Sequence, residues 1–137
     1  MQGFQKRHAV SPQVIDGIYF QYGLKLFVIF ENMKRKTQII GKLIRQRIDM
    51  IDPDAEIILY GSRARGDERS DSDWDIIVLT DYPADLEKEQ VFRNQLYDLE
   101  LETGESLSVF VYSKNDWETR QRITPFYQNV IHEGIQL

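Results

Sequence analysis

Cysteine is absent from this 137-residue chain, which removes disulfides, thiolate nucleophiles and thiolate zinc sites together. That lack fits an intracellular, cytoplasmic location. Histidine is scarce as well. His8 and His132 are the only two, they stand far apart without companion ligands, and both read as surface residues. Basic side chains are outnumbered, 17 Lys and Arg against 22 Asp and Glu, for a formal net charge of -5. A broad surface for nucleic acid needs clustered cations, so any phosphate site must be local. The basic run Lys34, Arg35, Lys36, Lys42, Arg45 and Arg47 reads as the outer face of a helix.

Long apolar runs are also missing. Gly17 to Phe30 is rich in aromatic and aliphatic residues, but it is short for a membrane span and contains Lys25. It makes a poor secretory leader too, because it begins well inside the chain and no small-residue cleavage site follows. What is present is ordinary for a folded domain: 42% hydrophobic and 28% charged residues. The length suits one domain with a single core.

Residues 1–32 mix Gly3, Pro12, Gly17 and Gly23 with bulky aromatics and match neither a helical nor a strand period. They are expected to form a poorly ordered extension, of the kind an upstream start would add, with the domain proper at 33–137. From Lys34 to Met50, Ile40, Leu43, Ile44 and Ile48 recur at three- and four-residue spacing, with Ile51 extending the stripe, and predict a helix that Asp52-Pro53-Asp54 ends. Glu56 to Tyr60 and Trp74 to Thr80 read as strands, the second apolar on both faces and therefore central. Between Ala84 and Leu101, Leu86, Phe92, Leu96 and Leu99 predict a helix closed by Gly104. Leu107 to Tyr112 reads as a third strand. Asn115 and Glu118 suggest a short helix, and Thr124-Pro125 starts another, with Phe126, Tyr127, Val130 and Ile131 inward and Gly134 as its stop. The fold class is therefore α/β (α+β), a small mixed β-sheet flanked by helices.

The segment Gly61-Ser62-Arg63-Ala64-Arg65-Gly66, followed by Ser72-Asp73-Trp74-Asp75, lies between the first two strands and carries the chemistry. Gly61 lets the backbone turn sharply and approach a ligand, because no Cβ stands in the way. Ser62 adds a hydroxyl beside free amides, and a short helix opening there would offer N–H groups to phosphate oxygens. Asp73 and Asp75 are two residues apart at the start of a strand, which predicts carboxylates on one face able to share a divalent cation. Mg²⁺, with its preference for oxygen and for sites completed by substrate phosphates, suits them. Arg63 and Arg65 are candidates to neutralise a departing pyrophosphate, and the spacing does not say which one points inward. Asp67, Glu68, Asp71 and Ser72 read as solvated loop residues, and Trp74 as core.

Taken singly, Asp-x-Asp is usually a turn and Gly-Ser a common loop pair. Together, with ten residues between Ser62 and Asp73 in a strand–loop–strand setting, they resemble the signature of the DNA polymerase beta-like nucleotidyltransferase superfamily, and most of all its minimal nucleotidyltransferase branch. The resemblance runs over roughly residues 33–112. It implies Mg²⁺ on Asp73 and Asp75, and the triphosphate of ATP or another nucleoside triphosphate around Gly61 and Ser62. It also implies a third carboxylate on a later strand, where this chain has Ser108 within Leu107-Ser108-Val109-Phe110-Val111. Serine is neither an anionic ligand nor an effective base near neutral pH. Glu105, Glu102 or Glu100 would substitute only with a shifted register.

The resemblance further implies transfer of a nucleoside monophosphate to a hydroxyl acceptor. Aminoglycoside-modifying relatives add a helical part that this chain has little room for, which favours a protein acceptor. Minimal nucleotidyltransferases are often antitoxin partners of HEPN-type toxins, and some transfer AMP to a toxin tyrosine. Two alternatives stand beside that reading: a binding module that keeps the fold and partner surface without transfer, and a nucleotide sensor. Trp117, Phe126 and Tyr127 would stack on a base, or, as helical spacing more often means, serve as core.

Overall fold

The computed structural model describes residues 35–137. The extension expected over residues 1–32 lies outside the described residues. Helix α1 runs through residues 35–49. It ends where predicted, with the Met50 and Asp52 amides bonding back to Gln46 and Ile48; Ile51 falls in the turn beyond and packs against the core from there. Strand β1 (Glu56–Tyr60), the single-turn helix α2 (Ser62–Arg65), strand β2 (Trp74–Thr80), helix α3 (Leu86–Thr103) and strand β3 (Leu107–Ser113) follow. Helix α4 (Lys114–Thr119), a 3₁₀ turn (Gln121–Ile123), helix α5 (Pro125–Glu133) and strand β4 (Ile135–Gln136) complete the chain.

The helix ends obey local chemistry. The Asp85 side chain caps α3 by accepting from the Lys88 amide at 2.8 Å. Gly104, at φ 72°, ends the same helix in a left-handed conformation that a side chain would disfavour. Thr124 caps α5 ahead of Pro125. For α4 the cap is Ser113, whose hydroxyl accepts from the Asp116 amide, so the helix begins at Lys114, one residue before the expected Asn115.

The four strands form one sheet in the order β3-β2-β1-β4. β1 is antiparallel to both neighbours, whereas β2 and β3 run parallel with α3 as their crossover. The sheet is thus mixed, and β2 is flanked on both sides. On one face Ile57, Leu59, Trp74, Ile76, Val78 and Val109 pack against Ile44 and Ile48 of α1 and Phe92, Leu96 and Leu99 of α3. On the other, Ile58, Ile77 and Leu79 meet Trp117, Tyr127 and Val130. Trp117, Phe126 and Tyr127 are therefore core aromatics, with Trp117 4.9 Å from the Tyr127 ring and 5.9 Å from Phe126.

Two expected core residues are not core. Leu86 is 86% exposed, because it is the first residue of α3 and lies beyond the reach of the sheet, and Ile131 is 41% exposed on the outer side of α5. Helical spacing marks a stripe, but the end of a stripe has nothing to pack on. Strand β4 was not apparent from sequence: two residues after a glycine give no period to detect, and pairing with the free side of β1 makes them a strand. The position of Leu96 against Leu86 predicts opposite mutational outcomes. Leu96→Ala should cost about 2–5 kcal/mol of stability, and Leu86→Ala no more than about 0.5 kcal/mol, both read from urea unfolding midpoints.

Candidate functional site

Gly61 leaves β1 at φ 75° and ψ −159°, a region that is essentially glycine's alone. A second constraint acts at the same residue, since a Cβ placed there would run into the Asp75 carboxylate. The Asp75 carboxylate therefore occupies the space beside Gly61 that a side chain at position 61 would fill. The Gly61 carbonyl then accepts from the Ala64 and Arg65 amides at 3.1 and 3.0 Å and opens α2. Ser62 follows Gly61 at the head of that turn.

The two arginines diverge. Arg63 is 5% exposed; its guanidinium lies 4.6 Å from the centre of the Trp74 ring and donates to the Ser72 carbonyl at 2.9 Å. It holds the 66–73 loop down over the core, stacked on an aromatic face. Arg65 points outward, and its Nη1 donates to both carboxylate oxygens of Glu133 at 3.1 and 3.0 Å. In the loop that follows α2, Asp67 and Asp71 are exposed. Glu68, expected to be solvated, instead has Oε2 sealed from solvent without a partner among the described residues.

Asp75 is the second residue of β2, on the sheet face opposite Trp74. It lies between Tyr60 of β1 and Ser108 of β3, its direct partners in the two ladders. Its carboxyl is held above the usual carboxylate range by burial first, then by repulsion from Asp73, with Arg65 opposing and Glu133 adding to the rise. Asp73 is exposed and immediately precedes the first strand residue, next to the Ser72 carbonyl that Arg63 holds. Burial, and then the Asp75 carboxylate, push the Tyr60 phenol up to about 12, so it remains a neutral hydroxyl beside the acids.

Asp75 and Ser108 are directly paired, so serine stands beside the aspartate, with no shift of register. The three candidate substitutes are engaged elsewhere. Glu105 accepts from the Trp74 indole at 2.9 Å and pairs with Lys36 at 2.6 Å; burial raises its carboxyl, but these two partners outweigh it and hold it low. Glu102 pairs with Arg47. Glu100 accepts from the Leu107 amide at 2.5 Å.

Glu133 was not anticipated. It is the last residue of α5, and besides binding Arg65 it accepts from the Gly61 amide at 3.2 Å. The one sequence signal is electrostatic: an acid at a helix C-terminus opposes the helix dipole and needs a compensating partner. Strand β4, pinned to β1 by the Leu137 amide on the Ile57 carbonyl at 2.9 Å, brings it there.

The donor set fits a hard divalent cation. The half-buried Asp75 carboxylate lies where the glycine turn leaves room, and Asp73 is near enough to repel it. Among the described residues no group of three or more His, Asp or Glu side chains is placed to hold a metal alone, so phosphate oxygens would complete the shell. No helix among those residues is long and apolar enough to cross a membrane.

Gly61→Ala tests the turn. Strain at this conformation should cost about 1–3 kcal/mol, and the collision with Asp75 adds to it, giving a lower urea midpoint than the wild-type chain; an unchanged midpoint would show that the turn relaxes freely.

No curated protein matches the chain. A crystal structure of a mutant of the toxin–antitoxin pair MntA-HpeT is similar to it, with 22% identity, a TM-score of 0.48, and coverage of 72% of this chain and 69% of that one. The family model of the polymerase beta nucleotidyltransferases matches residues 44–135. That span takes in β1, the Gly61 turn, Asp73, Asp75 and all of α5, and this chain belongs to that family.

Proposed function

We propose that this chain is a minimal nucleotidyltransferase that passes a nucleoside monophosphate from Mg²⁺-bound ATP, or another nucleoside triphosphate, to a hydroxyl acceptor. The acceptor is a tyrosine of a partner toxin of the HEPN type, and the chain acts as its antitoxin in the cytoplasm. The observation that carries the reading is the contact between the Gly61 backbone and the Asp75 carboxylate, with Asp73 close enough to repel it. It joins an anion-binding turn to a cation-binding pair within one turn of chain. Similarity to a structure of a toxin–antitoxin pair adds the context of a partner protein.

In this reading Asp73 and Asp75 hold Mg²⁺, which when bound polarises the α-phosphate and aligns the attacking and leaving oxygens. Gly61 and Ser62 receive the triphosphate tail. Arg65, on the exposed side of α2, is the guanidinium available to the departing pyrophosphate. Arg63 acts at one remove, by fixing the loop that presents Asp73. The acceptor oxygen bonds to the α-phosphorus as the bond to pyrophosphate breaks, and the hydroxyl proton passes to water, since Ser108 offers no base.

Ser108 favours a second reading, in which the chain binds its partner without transferring anything. Incubation with Mg²⁺, α-labelled nucleoside triphosphates and the product of the neighbouring gene separates the two. Label on the partner, reduced at least about a hundredfold by Asp75→Ala as expected for loss of a metal ligand, is the predicted outcome. Stable association without label supports the binding module, and absence of both binding and transfer would sink the antitoxin assignment.

A further inference from the structure

Two of the donors assigned to the triphosphate and its departing pyrophosphate, the Gly61 amide and Arg65, are already in use. Glu133 takes the Gly61 amide at 3.2 Å and both of its oxygens face Arg65 Nη1 at 3.0–3.1 Å. A carboxylate and a phosphate present the same chemistry to an amide and a guanidinium: anionic oxygens at hydrogen-bonding distance, with two of them facing one arginine. The two ligands are mutually exclusive at Gly61, because one N–H donor lies there. They also repel each other, so a phosphate arriving beside Asp75 adds negative charge to a corner where the carboxylates of Asp67, Asp73, Asp75 and Glu133 already gather around one guanidinium.

Glu133 is poorly placed except for this contact. It ends α5, where the helix dipole disfavours an anion, and its side chain is 17% exposed, so most of its hydration is lost. Arg65 and the Gly61 amide compensate for both. Remove those donors and the carboxylate has reason to turn to solvent. The segment behind it is light: β4 is two residues long and joined to β1 through Ile135 and Gln136, with Leu137 bonding to Ile57 beyond.

We infer that Glu133 is an internal anion that occupies the phosphate-binding donors of the resting protein, and that nucleotide binding exchanges it for a phosphate group, freeing the end of α5 and β4 from the Gly61 turn. This rests on reading the Gly61-Ser62 turn as the triphosphate anchor. The bonds exchanged are hydrogen bonds and an ion pair, and no covalent bond changes. Arg65 passes from carboxylate to phosphate. The C-terminal strand thereby becomes the part of the fold that reports whether nucleotide is bound.

The test uses the full chain with Mg²⁺ and an ATP analogue whose α–β bridge is CH₂, read by calorimetry and by amide hydrogen exchange. Glu133→Gln keeps the side chain's shape while removing its charge, and should tighten binding by roughly tenfold, the share of a charge-assisted contact that no longer competes. In the wild-type chain the analogue should slow exchange around Gly61 and speed it over residues 134–137. An unchanged or weaker affinity in Glu133→Gln, or a C-terminal segment equally or better protected with analogue bound, overturns the inference while leaving the nucleotide site standing. If neither chain binds the analogue, the anchor reading falls and takes this inference with it. The exchange measurement on the wild-type chain decides the matter even if the variant folds poorly.

Discussion

The site depends on a missing carbon. At Gly61 the chain takes a conformation that a side chain would strain, and the space a Cβ would fill belongs to the Asp75 carboxylate. Because the antiparallel pairing of β1 and β2 puts Tyr60 opposite Asp75, the residue that ends one strand meets the acid at the second position of the next. Neither strand would create the site alone. The hydrogen-bond ladder sets the register, and the glycine allows the backbone to close on the acid.

The sheet divides the work between its faces. Trp74 and Asp75 are neighbours in sequence and opposite in role, since strand alternation sends one into the helical core and the other toward the Gly61 turn. Arg63 belongs with Trp74. A buried guanidinium needs partners for its donors, and it finds them in the carbonyls of the loop above and in the indole face below. The buried arginine thus holds the Ser72 carbonyl next to Asp73, and the second arginine two residues on is left free to face Glu133. The cations of this acidic chain are spoken for locally: Arg65 faces Glu133 and Asp67, while Lys36 and Arg47 pair with Glu105 and Glu102.

Most of the elements were legible because each is declared by short-range chemistry. The stripe of Ile40, Ile44 and Ile48, the proline after Asp52, the Asp85 and Thr124 caps and the Gly104 stop all act within a few residues. The errors lie where long-range contact decides. Leu86 and Ile131 have the right spacing and no neighbour to pack on. β4 is a strand only because β1 has a free side. Glu133 lies 72 residues from Gly61, and no local pattern joins them.

The amino-acid sequence by itself carried the nucleotidyltransferase resemblance, because Gly-Ser followed at a set distance by Asp-x-Asp between two strands is a pattern written within fifteen residues. It also gave the serine on β3 at the position where the resemblance implies an acid, since one letter suffices to remove a charge. Only the tertiary structure decided that Ser108 stands directly beside Asp75, that Arg63 is a clamp and Arg65 a surface cation, and that a glutamate from the last helix holds the turn's amide. Those are relations between chain segments, and their energies arise only when the sheet pairs and the helices close over it.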